Sequence, residues 1–255
     1  MPRPALADRR PGACAVPSAI AAPPTGPRAD RRSAILLAAE RLFAQHGYHS
    51  VTIRQIADEA GVPLALVGYY FGPKHDLFHA VFAHWNGTIE ERLAALDAAL
   101  AGGHGPRRLE RIVEAFVRPV LRMRASAEGQ YYARLVGREL GYSSHEADRV
   151  LREFFDPMAA RFIDALQAAL PGASRADAAW GYQFALGAML HHLVDTRVER
   201  LSGGQASAFD PTASEQLVRF IVGGLRAAWP AQASPSGRGS AASPRTTPTP
   251  RRSNR

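Results

Sequence analysis

The sequence predicts an all-α protein, with an N-terminal three-helix helix-turn-helix domain followed by a larger helical domain. Apolar residues recur at threes and fours from Ile35 to Trp229, and no period-two alternation or Val/Ile-rich run argues for strands. A glycine turn at Gly61-Val62 separates two short stretches of helical period, the layout of a helix-turn-helix. Proline and glycine breaks at 102–106, 171–172 and 202–211 cut the remainder into helix-length segments.

Residues 1–29 are rich in proline and alanine, have no period, and are expected to be a disordered leader. Order is expected from Asp30, a plausible cap, with Ile35, Ala39, Leu42 and Phe43 on one helix face and Gly47 closing the helix. Arg31 and Arg32 at its start are either phosphate contacts or solvated charges. Thr52 followed by Gln55 is a capping box, so a second helix should begin at Ile53, with Ile53, Ile56, Ala57 and Ala60 as its stripe and Gly61 as its left-handed end. Pro63 suits the first position of a third helix, whose Val67 and Phe71 can pack back on Ile56 and Ala57. In such a unit the third helix enters the major groove and the second crosses the backbone. Thr52, Arg54, Gln55, Pro63, Leu64, Ala65, Leu66, Gly68, Tyr69 and Tyr70 are therefore the candidate DNA-binding residues, and the third helix carries no charge at all. Lys74 joins them: the single lysine among 31 basic residues opens the fourth helix, where an ammonium can meet a phosphate.

The pattern T-I-x-x-I-A-x-x-A-G-V over 52–62, continued by Y-x-F-x-x-K-x-x-L over 69–77, resembles the TetR/AcrR family of bacterial one-component transcriptional regulators. The resemblance implies a DNA-binding domain over 30–82 and an effector-binding and dimerisation domain over 83–229. Two positions depart from the commoner form of the motif, with Pro63 where a capping Ser is usual and Gly68 where a Tyr is usual. Tyr69 stands one place later and is expected to take over a phosphate contact.

The net charge of +8 does not describe the body of the protein. Residues 1–29 carry four Arg and one Asp, and residues 230–255 carry five Arg and no acid, so the body is balanced. The 230–255 tail, rich in Ser, Pro and Arg, is expected to be disordered, and both ends are either weak phosphate binders or solubilising extensions. With no run of eighteen apolar residues and a leader broken by prolines, neither a membrane span nor a signal peptide is expected, and the location expected is cytoplasmic. The lone cysteine, Cys14, excludes an internal disulfide.

The fourth helix is expected to run unbroken from Pro73-Lys74 to Leu100, linking the domains. Pro119 and Pro157 are expected to kink or split later helices. The family resemblance places an effector cavity among the helices beyond residue 106, and Phe116, Tyr131, Tyr132, Phe154, Trp180, Phe184 and His191 are its candidate lining for a small hydrophobic molecule of unknown identity. Arg134, Arg138 and Glu139 either orient an acidic ligand or form a surface ion pair. The segments 176–201 and 214–229 each carry an apolar face, and the first is apolar around more of its circumference than one core contact can cover, so Met189, Leu193, Leu217, Phe220 and Ile221 are candidates for a homodimer interface.

No catalytic signature, phosphate loop or dinucleotide fingerprint occurs, so an enzyme is not expected, nor is a cofactor. His75 and His79 share a helix face with His84 a turn on, which keeps one alternative open: a metal- or ligand-binding helical bundle without operator recognition. The favoured reading is a dimeric regulator, a repressor released from a pseudo-palindromic double-stranded DNA operator by its effector.

Overall fold

The computed structural model describes residues 27–139, 145–210 and 212–230, and among these every regular element is a helix. The expectations for residues 1–26 and 231–255, Cys14 among them, lie outside the described residues. Helix α1 spans Pro27–His46, so Asp30 sits in its first turn, facing the positive helix end, instead of capping it. Then come α2 (Ile53–Glu59), α3 (Leu64–Phe71) and α4 (Lys74–His84).

The long fourth helix does not form. It stops at Trp85, whose backbone (φ −95, ψ 10) leaves the helical range, and α5 (Asn86–Ala101) restarts immediately. The indole is drawn inward to donate from Nε1 to Glu40 at 2.8 Å, while the Thr88 hydroxyl takes the freed Trp85 carbonyl at 2.8 Å. After α5 follow α6 (Arg108–Ala125) and α7 (Gly129–Glu139). Pro119 leaves α6 unbroken, because the burial of Phe116, Val117 and Val120 beside it outweighs one missing hydrogen bond. Helix α8 (His145–Val150) passes through a π turn (Leu151–Phe155) into α9 (Asp156–Ala169). The widened turn lies where Pro157 offers no N–H to the carbonyl of Glu153. Helix α10 (Arg175–Val194) ends short of the expected 201, with a separate turn α11 (Val198–Leu201), and α12 (Ala213–Ala228) closes the described chain.

Two compact units form. Among the described residues the first comprises 27–94, 119–139, 145–158 and 193–195. In it α1 packs on α2, α4 and α7, α3 packs on α2 and α4, and α4 on α8. The core is aromatic: Phe43 meets Phe78 edge-on at 5.5 Å, Phe78 meets Phe82 at 5.1 Å, and Trp85 stacks on Tyr132 at 5.1 Å. Among the described residues the second unit comprises 95–118, 159–192, 196–210 and 212–230. Its core is built on Phe116, Phe162 and Tyr182, and the Arg111 guanidinium closes the α5 end by donating to the carbonyls of Ala99, Gly102 and Gly103.

Glu40 is 2% exposed, a carboxyl inside the first core. Burial pushes it up to about 7, against the opposing hydrogen bonds from Trp85 and the Tyr132 backbone. The folded state thus holds a proton that the unfolded chain has released above about 4.5, and stability falls as pH rises through this window. The native protein should lose on the order of 3 kcal/mol between pH 4.5 and 7 from this group alone. Glu40→Gln keeps the acceptor for Trp85 and should flatten that part of the curve, as measured by denaturant midpoints across pH; a parallel decline in both proteins would show that Glu40 is not the group responsible.

Candidate nucleic-acid interface

The helix-turn-helix is assembled from local signals. The Gln55 backbone N–H donates to the Thr52 hydroxyl at 3.2 Å, and the Thr52 N–H donates to the Gln55 side chain at 2.8 Å, so both residues are tied into the start of α2. At the other end the Val62 N–H reaches the Ala57 carbonyl and the Gly61 N–H that of Asp58, with Gly61 at φ 64, the left-handed closure only glycine adopts freely. Ile56 and Ala57 of α2 and Val67 and Phe71 of α3 are buried, which fixes the face that α3 turns outward.

That outward face consists of Pro63, Leu64, Ala65, Gly68 and Tyr69, all exposed; Leu66 and Tyr70 are half-buried at its margins, and Arg54 is exposed on α2. Tyr69 is 67% exposed, and its hydroxyl accepts from the Arg28 guanidinium at 3.1 Å. The Arg32 guanidinium lies 4.9 Å from the centroid of the Phe71 ring. The first turns of α1 therefore set two cations beside α3, and the Arg28 contact is one that residue spacing did not reveal. Lys74 is less free than expected: its ammonium sits 4.3 Å over the Tyr48 ring, where burial pulls its pKa below the ordinary lysine value and Glu146 partly restores it.

Gly68 has no structural excuse. Its backbone is not in the left-handed region, and a Cβ added there meets nothing within 4 Å. A glycine inside a helix costs about 0.5–1 kcal/mol relative to alanine.

The residues expected to line one effector cavity are not brought together. Phe116 lines a small apolar cavity of about 10 Å³ in the second unit with Ile112, Val113, Phe162 and Leu166, none of which the sequence singled out. Trp180 and Phe184 stack on each other at 5.7 Å and are each 61% exposed, and His191 is exposed as well. Tyr132 is buried against Trp85, Tyr131 lies under the Arg41 guanidinium at 5.8 Å, and Phe154 packs on His79. A helix apolar on every side gives no phase to its periodicity, which is why its inward and outward aromatics were confused.

The interface candidates divide in the same way. Met189, Leu193 and Ile221 are core residues and Leu217 is half-buried, whereas Phe220 is 71% exposed. The stripe left bare on α10 runs through Trp180, Phe184 and Gly187, and on α12 through Phe220 and Gly223. The histidine alternative also fails to assemble: His79 is spent on Glu153 at 2.7 Å, and among the described residues no three His, Cys, Asp or Glu side chains converge on a metal position.

Arg138 and Glu139 serve neither role expected of them. Arg138 of α7 donates to the last carbonyls of α1, Gln45 and His46, both at 3.2 Å, and Glu139 accepts the Tyr48 N–H at 3.4 Å. Together they hold the turn between α1 and α2 from outside.

A model of the bacterial regulatory proteins of the tetR family matches residues 35–81, and one of the tetracyclin repressor-like C-terminal domain matches 114–224, together more than half of the chain. The chain belongs to the TetR family. It is a regulatory protein and not an enzyme. Among curated relatives it is 39% identical over 64 residues to the HTH-type transcriptional regulator HbdR of Aromatoleum sp. (strain CIB), covering 25% of this chain and 28% of that protein. It is 34% identical over 91 residues to the HTH-type transcriptional activator FasR of Mycolicibacterium smegmatis, covering 35% and 40%. The chain thus spans well under half the length of these relatives. The fold resembles that of a TetR-family regulator from Bordetella parapertussis 12822, with TM-score 0.54 and 18% identity over 74% of this chain and 93% of that one. No helix among the described residues is long and apolar enough to cross a membrane.

The hold on the α1–α2 turn is testable by stability. A Cβ at Gly47 (φ 83) would lie 2.9 Å from Arg138 Nη2. Gly47→Ala should therefore cost at least ~1 kcal/mol from backbone strain, and displace Arg138 besides. Arg138→Ala alone should cost about 1 kcal/mol. In urea melts the glycine substitution should cost less in the Arg138→Ala background; strict additivity would show that the contact does not matter.

Proposed function

We propose that this protein is a homodimeric, cytoplasmic transcriptional repressor that binds a pseudo-palindromic operator through α3 and is released by a small hydrophobic molecule. The observation that carries the reading is the outward face of α3, solvent-exposed in the described chain and flanked by Arg28 and Arg32. A helix so placed fits the major groove while cations beside it meet the phosphates. The direction of control is read from the family at large, and since FasR is named an activator, a reporter driven by the protein's own promoter distinguishes the two signs.

Effector binding rests on the apolar cavity beside Phe116. Its present volume of about 10 Å³ holds roughly one water, so a ligand must part the surrounding helices on entry. That requirement is what would make binding conformationally consequential.

The dimer is assigned to the exposed stripes of α10 and α12. Trp180 and Phe184 on one helix and Phe220 on the other are large, apolar and solvent-facing, and Gly187 and Gly223 permit close helix approach. A two-fold axis through such a surface would set two α3 helices one turn or a multiple, ~34 Å, apart along the duplex.

A fluorescent duplex carrying the protein's own promoter region should bind and resist competition by random DNA; equal competition would return the chain to ligand binding without operator recognition. Lys74→Ala should weaken all duplexes alike and lower the salt slope by about one at most. Phe184→Glu combined with Phe220→Glu should yield a folded monomer in sedimentation, with operator affinity sharply reduced. A double variant that stays dimeric would move the interface elsewhere.

A further inference from the structure

The groove-facing surface of α3 has an unusual chemistry. Its exposed groups are the Pro63 ring, the Leu64 side chain, the Ala65 methyl, the bare backbone of Gly68 and the Tyr69 ring. The one polar atom these side chains offer, the Tyr69 hydroxyl, is already engaged by Arg28. Thr52 and Gln55, the polar residues at the start of α2, are bonded to each other. A reader of this composition cannot rely on the bidentate hydrogen bonds by which arginine or asparagine side chains recognise guanine or adenine.

One base-edge group in the major groove is apolar, the C5 methyl of thymine. Leu64 and Ala65, at the helix end that meets base edges, match it in chemistry. Gly68 lies one turn beyond Leu64 on the same face, where neither its backbone angles nor its surroundings within the chain require a glycine. A residue that weakens its own helix and touches nothing inside the protein serves a surface outside it, and the space it leaves admits a base edge close to the helix backbone. Arg28 and Arg32 touch α3 from α1, so the apolar face is bordered by cations, the complement of a duplex with methyls inside the groove and phosphates at its rim.

We propose that α3 selects its operator through thymine methyl groups, contacted by Leu64 and Ala65, with Gly68 as the specificity-determining residue that lets the helix approach the base edges. This rests on the DNA-binding reading above and specifies what that reading recognises.

The full chain is first used to enrich duplexes from a random pool, and the winning duplex is remade with deoxyuridine in place of each thymidine in turn. Each contacted methyl removed should weaken binding about fourfold, as expected for one buried methyl-sized group. In Leu64→Ala, which alters a solvent-exposed side chain, at least one of these losses should vanish. Gly68→Ala should raise the melting temperature of the free protein and yet weaken the winning duplex about tenfold, the size of a lost base contact. A merely structural glycine would not give those opposite signs. Less than twofold loss at every thymidine, or winning duplexes without thymines in common, would overturn the methyl reading. Gly68→Ala that binds like the native chain would overturn the close approach. Failure to enrich any sequence would instead sink the DNA-binding reading itself, and this inference with it.

Discussion

A carboxyl on the buried face of α1 sets the course of the first unit. Glu40 needs donors inside an aromatic core, and Trp85 supplies one only by turning inward at the end of α4. That turn stops α4, starts α5 and lays the indole flat on Tyr132 of α7. Helix α7 is thereby held along α1, and its last two residues fall on the α1–α2 turn, where Arg138 and Glu139 satisfy carbonyls and an N–H that the turn leaves open. The ends of α2 are set locally, but the turn that leads into it is braced by contacts that start with one buried acid.

The helix-turn-helix was legible in the sequence because its signals are local. Thr52 and Gln55 cap within one turn, Gly61 closes by backbone geometry alone, and the buried pairs Ile56–Ala57 and Val67–Phe71 follow one period. The break at Trp85 was not legible, because its cause lies 45 positions away on another helix, and the apolar pattern from Leu77 to Leu100 fits one helix as well as two. In α10 the difficulty was phase. With apolar residues all round, the sequence could not say that Met189 and Leu193 turn inward while Trp180 and Phe184 face solvent. Arg138 was misread for a related reason: its partners are backbone carbonyls, which leave no trace in residue identity.

The same difficulty scattered the effector candidates. Aromatic character does not mark the cavity, because each ring obeys the needs of its own neighbourhood: Tyr132 stacks on an indole, Phe154 on a histidine, and Phe116 on two further rings. The cavity is defined as much by Ile112, Val113 and Leu166, residues that no composition rule marks as ligand-binding. Shape, and not aromatic content, decides where a void forms in a close-packed interior.

On the proposed reading, the two exposed apolar surfaces depend on each other. A methyl contact is worth only about 0.8 kcal/mol. With Leu64 and Ala65 meeting one methyl each, one half-site supplies roughly 1.6 kcal/mol of discrimination by such contacts. That is far short of the ~4–10 kcal/mol separating specific from non-specific binding, whereas two half-sites read together, at roughly 3 kcal/mol, come close to its lower end. Phosphate contacts cannot make up the difference, because they carry no sequence information and the net positive charge lies in the chain ends, not the balanced body. A reader whose groove-facing side chains are nearly all apolar therefore has to work in pairs. The aromatic stripes of α10 and α12, far along the chain from α3, are then as much a condition of sequence recognition as the residues that enter the groove.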